Sequence, residues 1–442
     1  TLEEIKDVKD IPDYKYIRGR SRRRQPKIIP PSHVELIKEI KDKLPGFFFN
    51  FSRKKCQDNA LELAKANIFD INHEINFIIR NKLSDASPEI NNLQSTKMLR
   101  QTLPYGIGFH HAGLIPIMKE LVEELFSKGL IKVLYTTETF AVGINMPAKT
   151  VCFESLRKFD GVNFRFLNSK EYFQIAGRAG RRGIDKEGFV YSMVDRRDFD
   201  YGLMKRITGS DIEPIKSQFR LSVNTVLNLI KMHEQKEIER ILKRNFYTFQ
   251  KYGRDFDKSK KGEVFHTFNN IKKKLQRMNY IQQNFLTEKG EFASRIYADE
   301  ILLGEIFATD FYKKLNEYQM LMLIACVCYE PRKRTEFYKE YPSKEIKDLF
   351  NKLGSDKYFR KNRKFNHIKE LTAMVHPCYH GKDIFDIMDN TNLLEGDLIR
   401  FFRQILDRIG QIKAATHDSV LIDMLNNCQK IINDCLRDID II

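Results

Sequence analysis

Between Gln174 and Gly183 the chain reads QIAGRAGRRG, which sets Arg178 and Arg181 three residues apart among small residues. Guanidinium groups stay protonated and present a planar fork of donors, so a fixed pair of them suits the charge that develops on a phosphoryl group in transfer. Glycines at 177, 180 and 183 leave room beside the backbone for a nucleotide or a neighbouring domain. Composition alone would also allow a basic, glycine-rich surface loop. No phosphate loop accompanies the string: the only Gly-Lys step, Gly381-Lys382, is followed by Asp383 and lacks the earlier glycine of G-x-x-x-x-G-K-[ST]. Neither a DExH nor a DEAD box occurs, the nearest string being Asp299-Glu300-Ile301-Leu302. Gly106 and Gly108, beside His110, have the wrong spacing for a dinucleotide loop.

Three further blocks precede the arginine string in order: FFFNFSRKKC at 47–56, GFHHAGL at 108–114 and VLYTTETFAVGINMPAKTVCF at 133–153. Thr136, Thr137 and Thr139 follow an apolar strand-like run, where hydroxyls and backbone N–H groups suit the phosphates of a bound strand without reading bases; helix capping is the alternative. Together the four blocks resemble motifs IV to VI of superfamily-two helicases. The wording TTETFAVGINMPAKT is similar to the Superkiller-type branch of DExH-box RNA helicases.

That resemblance implies roles. Arg178 and Arg181 would be catalytic arginine fingers, with Gly143, Asn145 and Gln174 on the nucleotide side. Ser52, Arg53, His111, Thr136, Thr137 and Thr139 would touch the nucleic-acid strand, joined by Glu395 and Arg400 on a C-terminal ratchet helix. It also implies ATP and Mg2+ in the full-length enzyme, with neither held by this portion alone. The implied partners are a missing N-terminal RecA-like domain and single-stranded RNA or a 3′-tailed duplex, with 3′ to 5′ movement. An exosome-like nuclease is a further candidate partner, although KYGRDFDKSKKG at 251–262 stands where eukaryotic relatives insert a long arch. A related DNA repair helicase, a non-enzymatic RNA-binding scaffold and a subunit paired with a separate first lobe remain as alternatives.

Composition fits this expectation. The 442 residues are 42% hydrophobic and carry 76 Lys and Arg against 59 Asp and Glu, a formal net charge of +17 that favours a polyanionic partner. There is no secretory signal pattern or long apolar span, and seven scattered cysteines do not suggest a disulfide framework, so the cytoplasm is the expected compartment. His376, Cys378 and His380, like the pair Cys326 and Cys328, lack a partner cluster at zinc spacing.

The elements that must position these groups follow from the apolar runs. GFFFNF, GIGFHH, IKVLYTT, TVCFES and GFVYSMV read as strands, with helices near 53–66 and 114–128 between them. Alternation of this kind predicts a parallel sheet flanked by helices, and the resemblance makes it the second RecA-like domain. The expected organisation is a linker over 1–30 bearing RGRSRRR, a RecA-like domain over 31–205, a winged helix over 206–298 and an all-α, ratchet-like DSHCT-like domain over 299–442. Ile215, Phe219, Leu221, Val226, Leu227 and Leu229 are expected on one apolar helix face, and Leu398, Ile399, Phe402, Ile405, Leu406 and Ile409 on another.

Overall fold

The computed structural model describes residues 32–437 and 439, apart from 85, 144–145, 161–162, 196–199, 211–213, 256–261 and 333–334. The expected linker over 1–30 and Asn145 therefore lie outside the described residues, as does part of the 251–262 link. The chain divides into two compact units at Pro214 and Ile215.

In the first unit all five expected strands form one parallel sheet. They are β1 (Gly46–Phe49), β2 (Ile107–His110), β3 (Val133–Thr136), β4 (Thr150–Phe153) and β7 (Phe189–Ser192), in the order β2-β3-β1-β4-β7. Parallel strands covered on both faces need continuous apolar runs rather than alternation, which is why GFFF occupies the centre. Phe47, Phe48 and Phe49 are all enclosed, and each contributes about 1.5–3 kcal/mol by leaving water. Phe47 stacks on Phe126 of the helix Pro116–Ser127 at 4.8 Å, while Phe48 lies 5.2 Å from Tyr135.

Between β4 and β7 a two-stranded antiparallel hairpin stands apart, β5 (Arg157–Phe159) with β6 (Phe164–Phe166). Its short, charged strands carry too little apolar pattern to announce themselves in the sequence. The helix Tyr201–Gly209 runs straight through the expected boundary at 205/206 and donates no break there. Its Arg206 carbonyl accepts a hydrogen bond from Ser169 Oγ at 3.0 Å, which ties it to the first unit.

The second unit begins outside any helix or strand. Ile215 and Phe219 are exposed, 68% and 39%, because the helix starts only at Val223, so the expected apolar face is confined to Val226 and its neighbours. Val226, Leu227, Ile238, Leu242, Phe268, Leu275, Tyr280 and Ile281 form one core that joins three helices to a small hairpin, β8 (Ile281–Gln282) with β9 (Phe285–Leu286). Further on, Glu317–Cys328 is buried on nearly every side, and the 21-residue helix Glu395–Ala415 buries Leu398, Ile399, Phe402, Ile405 and Ile409, leaving Leu406 half-buried.

Candidate functional site

Parallel sheets gather ligands beyond the carboxyl ends of their strands. Here β1, β2, β3 and β4 end level with one another, since Phe49 pairs with Thr136 and Phe153, and Thr136 with His110. Ser52, His111 and Thr137 follow those ends within three residues.

Ser52 caps the helix Arg53–Lys65, its hydroxyl accepting from Lys55 N–H at 3.4 Å. The first turn of that helix holds Arg53, Lys54 and Lys55 and no acid. Cations there oppose the helix dipole and cost stability, so a run of three suits an anion site. Lys55 also reaches Glu154 beyond β4, at 2.8 Å. The RKK run carried that signal in sequence, although only Arg53 was singled out.

Two residues expected at the strand are buried in the structure. His111 is fully enclosed: Gly113 N–H lies 3.1 Å from its Nδ1, and Gln57 Nε2 lies 3.1 Å from its Nε2. Thr136 is likewise fully buried, and its hydroxyl donates to the His110 carbonyl at 2.9 Å. Both hold loops in place and neither reaches the surface. Thr137 and the exposed Thr139 do, with their hydroxyls 3.0 Å apart at the start of the helix Glu138–Gly143. Gly143 closes that helix.

The arginine loop lies at the other end of the sheet, beside the segment that enters β4. Gln174 is exposed on the helix Ser169–Ala176, whose start is fixed by a capping box between Asn168 and Glu171. Glu171 also receives Arg165 at 2.7 and 2.8 Å and Lys158 at 2.8 Å, while Lys158 bonds Glu138 at 2.8 Å. Burial would raise the Glu171 pKa, but the bonds from Arg165 and Lys158 outweigh it and bring it down to about 2. One charged network thus joins the Thr139 helix, the β5–β6 hairpin and the arginine helix.

Beyond that helix Ala148 N–H donates to the Arg178 carbonyl at 3.0 Å and Gly180 N–H donates to the Ala148 carbonyl at 2.7 Å. Gly180 adopts φ +87°, and Gly188 packs so closely that a Cβ would lie 2.6 Å from the Ala179 carbonyl. The glycines therefore let the loop fold onto itself, and Gly188 belongs with the three expected from sequence. Arg178 is half-buried. Arg181 is clamped by Asp185, with Nε at 2.7 Å and Nη2 at 2.9 Å from the two carboxylate oxygens. Its hydrogen bonds hold the Asp185 carboxyl down at about 2.

On the second unit Glu395, expected at the strand, opens its helix and is 8% exposed, an acid at a helix N-terminus. Asp397 beside it receives Arg332 at 3.1 Å, whereas Arg400 is exposed. The sites on the two units are separate observations.

A divalent cation needs uncommitted carboxylates. Asp185 and Glu171 are both engaged by cations.

Residues 73–183 match the helicase conserved C-terminal domain and 283–439 match the DSHCT (NUC185) domain. The chain is 42% identical over 228 residues to the human Exosome RNA helicase MTR4, a stretch that covers 50% of this chain and 22% of that protein. It is 40% identical over 225 residues to the ATP-dependent RNA helicase mtr4 of Schizosaccharomyces pombe, covering 50% of this chain and 20% of the relative. With mouse Superkiller complex protein 2 it shares 40% over 208 residues, 47% of this chain and 17% of the relative. The chain thus spans about a fifth of the length of such relatives. Among the described residues no helix is long and apolar enough to cross a membrane.

Proposed function

We propose, for a chain whose helicase C-terminal and DSHCT domains place it with the Superkiller-type DExH-box RNA helicases, that it supplies the arginine side of an ATP site and part of a strand-binding surface. The observation that carries this is the fastening of the Arg178–Arg181 loop to Ala148, in the segment that enters β4, while Thr137 and Thr139 stand beyond the carboxyl end of β3. In this reading Arg178, Arg181 and Gln174, with Gly143 and Asn145, face the nucleotide, and the phosphate loop, the Mg2+-holding acid and the base come from a first RecA-like domain. Alone the chain does not turn over ATP.

The residues act by position and charge. Guanidinium donors already fixed in place stabilise charge on the transferred phosphoryl group without reorganising at the moment of transfer. Closure of two lobes brings them to the γ-phosphate, and release opens the pair again. Ser52, Arg53, Thr137 and Thr139 grip phosphates, so the strand is held with little regard to sequence, and Arg400 is a separate phosphate contact on the second unit. RNA, moved 3′ to 5′, is the expected strand, and relatives named as exosome and Superkiller helicases favour a nuclease partner. The domain limits in this reading are a RecA-like domain over 31–205, a winged helix over 206–298 and DSHCT-like helices over 299–442; the two compact units divide at Pro214, and the DSHCT match begins at 283.

The test is ATPase and unwinding by the two-lobed enzyme on 3′-tailed RNA and DNA duplexes. RNA-stimulated turnover that vanishes in Arg178→Ala supports the reading; preference for DNA favours a repair helicase, and no turnover with either favours a scaffold.

A further inference from the structure

Arg181 is held by one edge of its guanidinium. Nε and Nη2 bond the two oxygens of Asp185, and Arg181 N–H adds a third bond to the same carboxylate at 3.0 Å. Nη1 takes no hydrogen bond among the described residues. The two side chains also differ in depth: Asp185 is 7% exposed and Arg181 28%, so the carboxylate lies beneath and the cation lies outward.

Closing the turn does not require this clamp. Ile184 N–H and Asp185 N–H already donate to the Arg181 carbonyl at 3.0 and 2.9 Å, and Gly183 supplies the left-handed step at φ +79°. The bidentate side-chain pair adds direction to the guanidinium, since a planar fork gripped along Nε–Nη2 presents its opposite edge.

We propose that Asp185 is the positioning residue of Arg181: it grips the inner edge of the guanidinium so that the Nη1 edge is presented to the phosphoryl oxygens of a nucleoside triphosphate. This rests on the reading of Arg181 as a finger. Asp185 stays ionised throughout the working pH range, because its bonds to Arg181 keep its pKa near 2. A long side chain held in one rotamer before substrate arrives need not be ordered during the reaction, and small misplacements of a catalytic group carry large rate penalties.

The experiment compares Asp185→Asn, Asp185→Glu, Arg181→Ala and the Arg181→Ala/Asp185→Asn double variant in the enzyme carrying both RecA-like lobes. Asp185→Asn is expected to lower kcat on the order of 10- to 100-fold while KM for ATP and RNA affinity move less than about threefold. Asp185→Glu recovers part of the loss, and the double variant is no slower than Arg181→Ala alone. On the present chain, the Arg181 Nε–H signal in an NMR spectrum is protected from exchange with water and loses that protection in Asp185→Asn. An Asp185→Asn kcat within twofold of the parent, or above it, with Arg181→Ala inactive, overturns the positioning role and leaves the finger reading intact. Normal turnover in Arg181→Ala overturns both. An unprotected Nε–H in the parent chain overturns the clamp.

Discussion

Ala148 and Arg178 are joined backbone to backbone at 3.0 Å, which anchors the arginine loop to the segment that enters β4. The loop is thereby placed by the sheet and not by its own short sequence. A loop fixed at this point has few ways to move without disturbing the sheet edge.

The tightness of the fold-back is testable at Gly188. A Cβ there would meet the Ala179 carbonyl carbon and oxygen at 2.6 Å and Gly180 N at 2.7 Å, all backbone atoms that cannot step aside. Gly188→Ala is expected to destabilise the first unit by about 1–3 kcal/mol, as overpacking does. Thermal melts of parent and variant check this; an unchanged midpoint would show that the loop is not packed as described.

Acid should loosen the same region. The folded Glu171 carboxyl sits at about 2, against an ordinary 4.5, so its network contributes fully above pH 4.5 and loses its contribution as pH falls from there towards 2. Glu171→Gln should flatten the stability profile across that window and cost on the order of 1–3 kcal/mol at neutral pH, between the values for exposed and buried pairs. Equal acid sensitivity in parent and variant, followed by circular dichroism, would assign the loss to other carboxylates.

The two neighbouring threonines should separate cleanly. Thr136→Val removes a buried bond to the His110 carbonyl and should cost about 1 kcal/mol of stability with RNA affinity unchanged. Thr137→Val should leave the melt nearly unchanged and weaken single-stranded RNA binding. Fluorescence anisotropy with a labelled oligonucleotide, run beside melts, reads both; weaker binding by a folded Thr136→Val would contradict the assignment.

Binding should also depend on salt. For single strands each phosphate neutralised changes the slope of log K against log salt by about 0.7, so Arg53→Gln should reduce the steepness by roughly that amount. An identical slope would remove Arg53 from the phosphate contacts.

Much of the sheet was legible because a parallel strand buried on both faces must be written as an apolar run, and GFFF, VLYT and TVCF are such runs. The β5–β6 hairpin was not. Its strands hold Lys158 and Arg165, whose place is set by Glu138 and Glu171 from elsewhere in the chain. Motif spacing located the arginine loop, and the four-residue interval from Arg181 to Asp185 was a readable sign of their pairing. Burial was the information that spacing lacked: His110 and His111 are adjacent in sequence, and nothing local says that His111 is sealed against Gln57 and Gly113. Likewise the apolar Ile215 and Phe219 lie before the helix, on irregular chain that no periodicity argument could distinguish from the helix after it.

The central claim is that Arg178 and Arg181 complete an ATP site. Steady-state, RNA-stimulated ATPase of the two-lobed enzyme with Arg181→Ala tests it most directly. The account predicts a fall in kcat of about 10³ or more with RNA affinity nearly intact. Turnover close to that of the parent, in a folded variant, would contradict it.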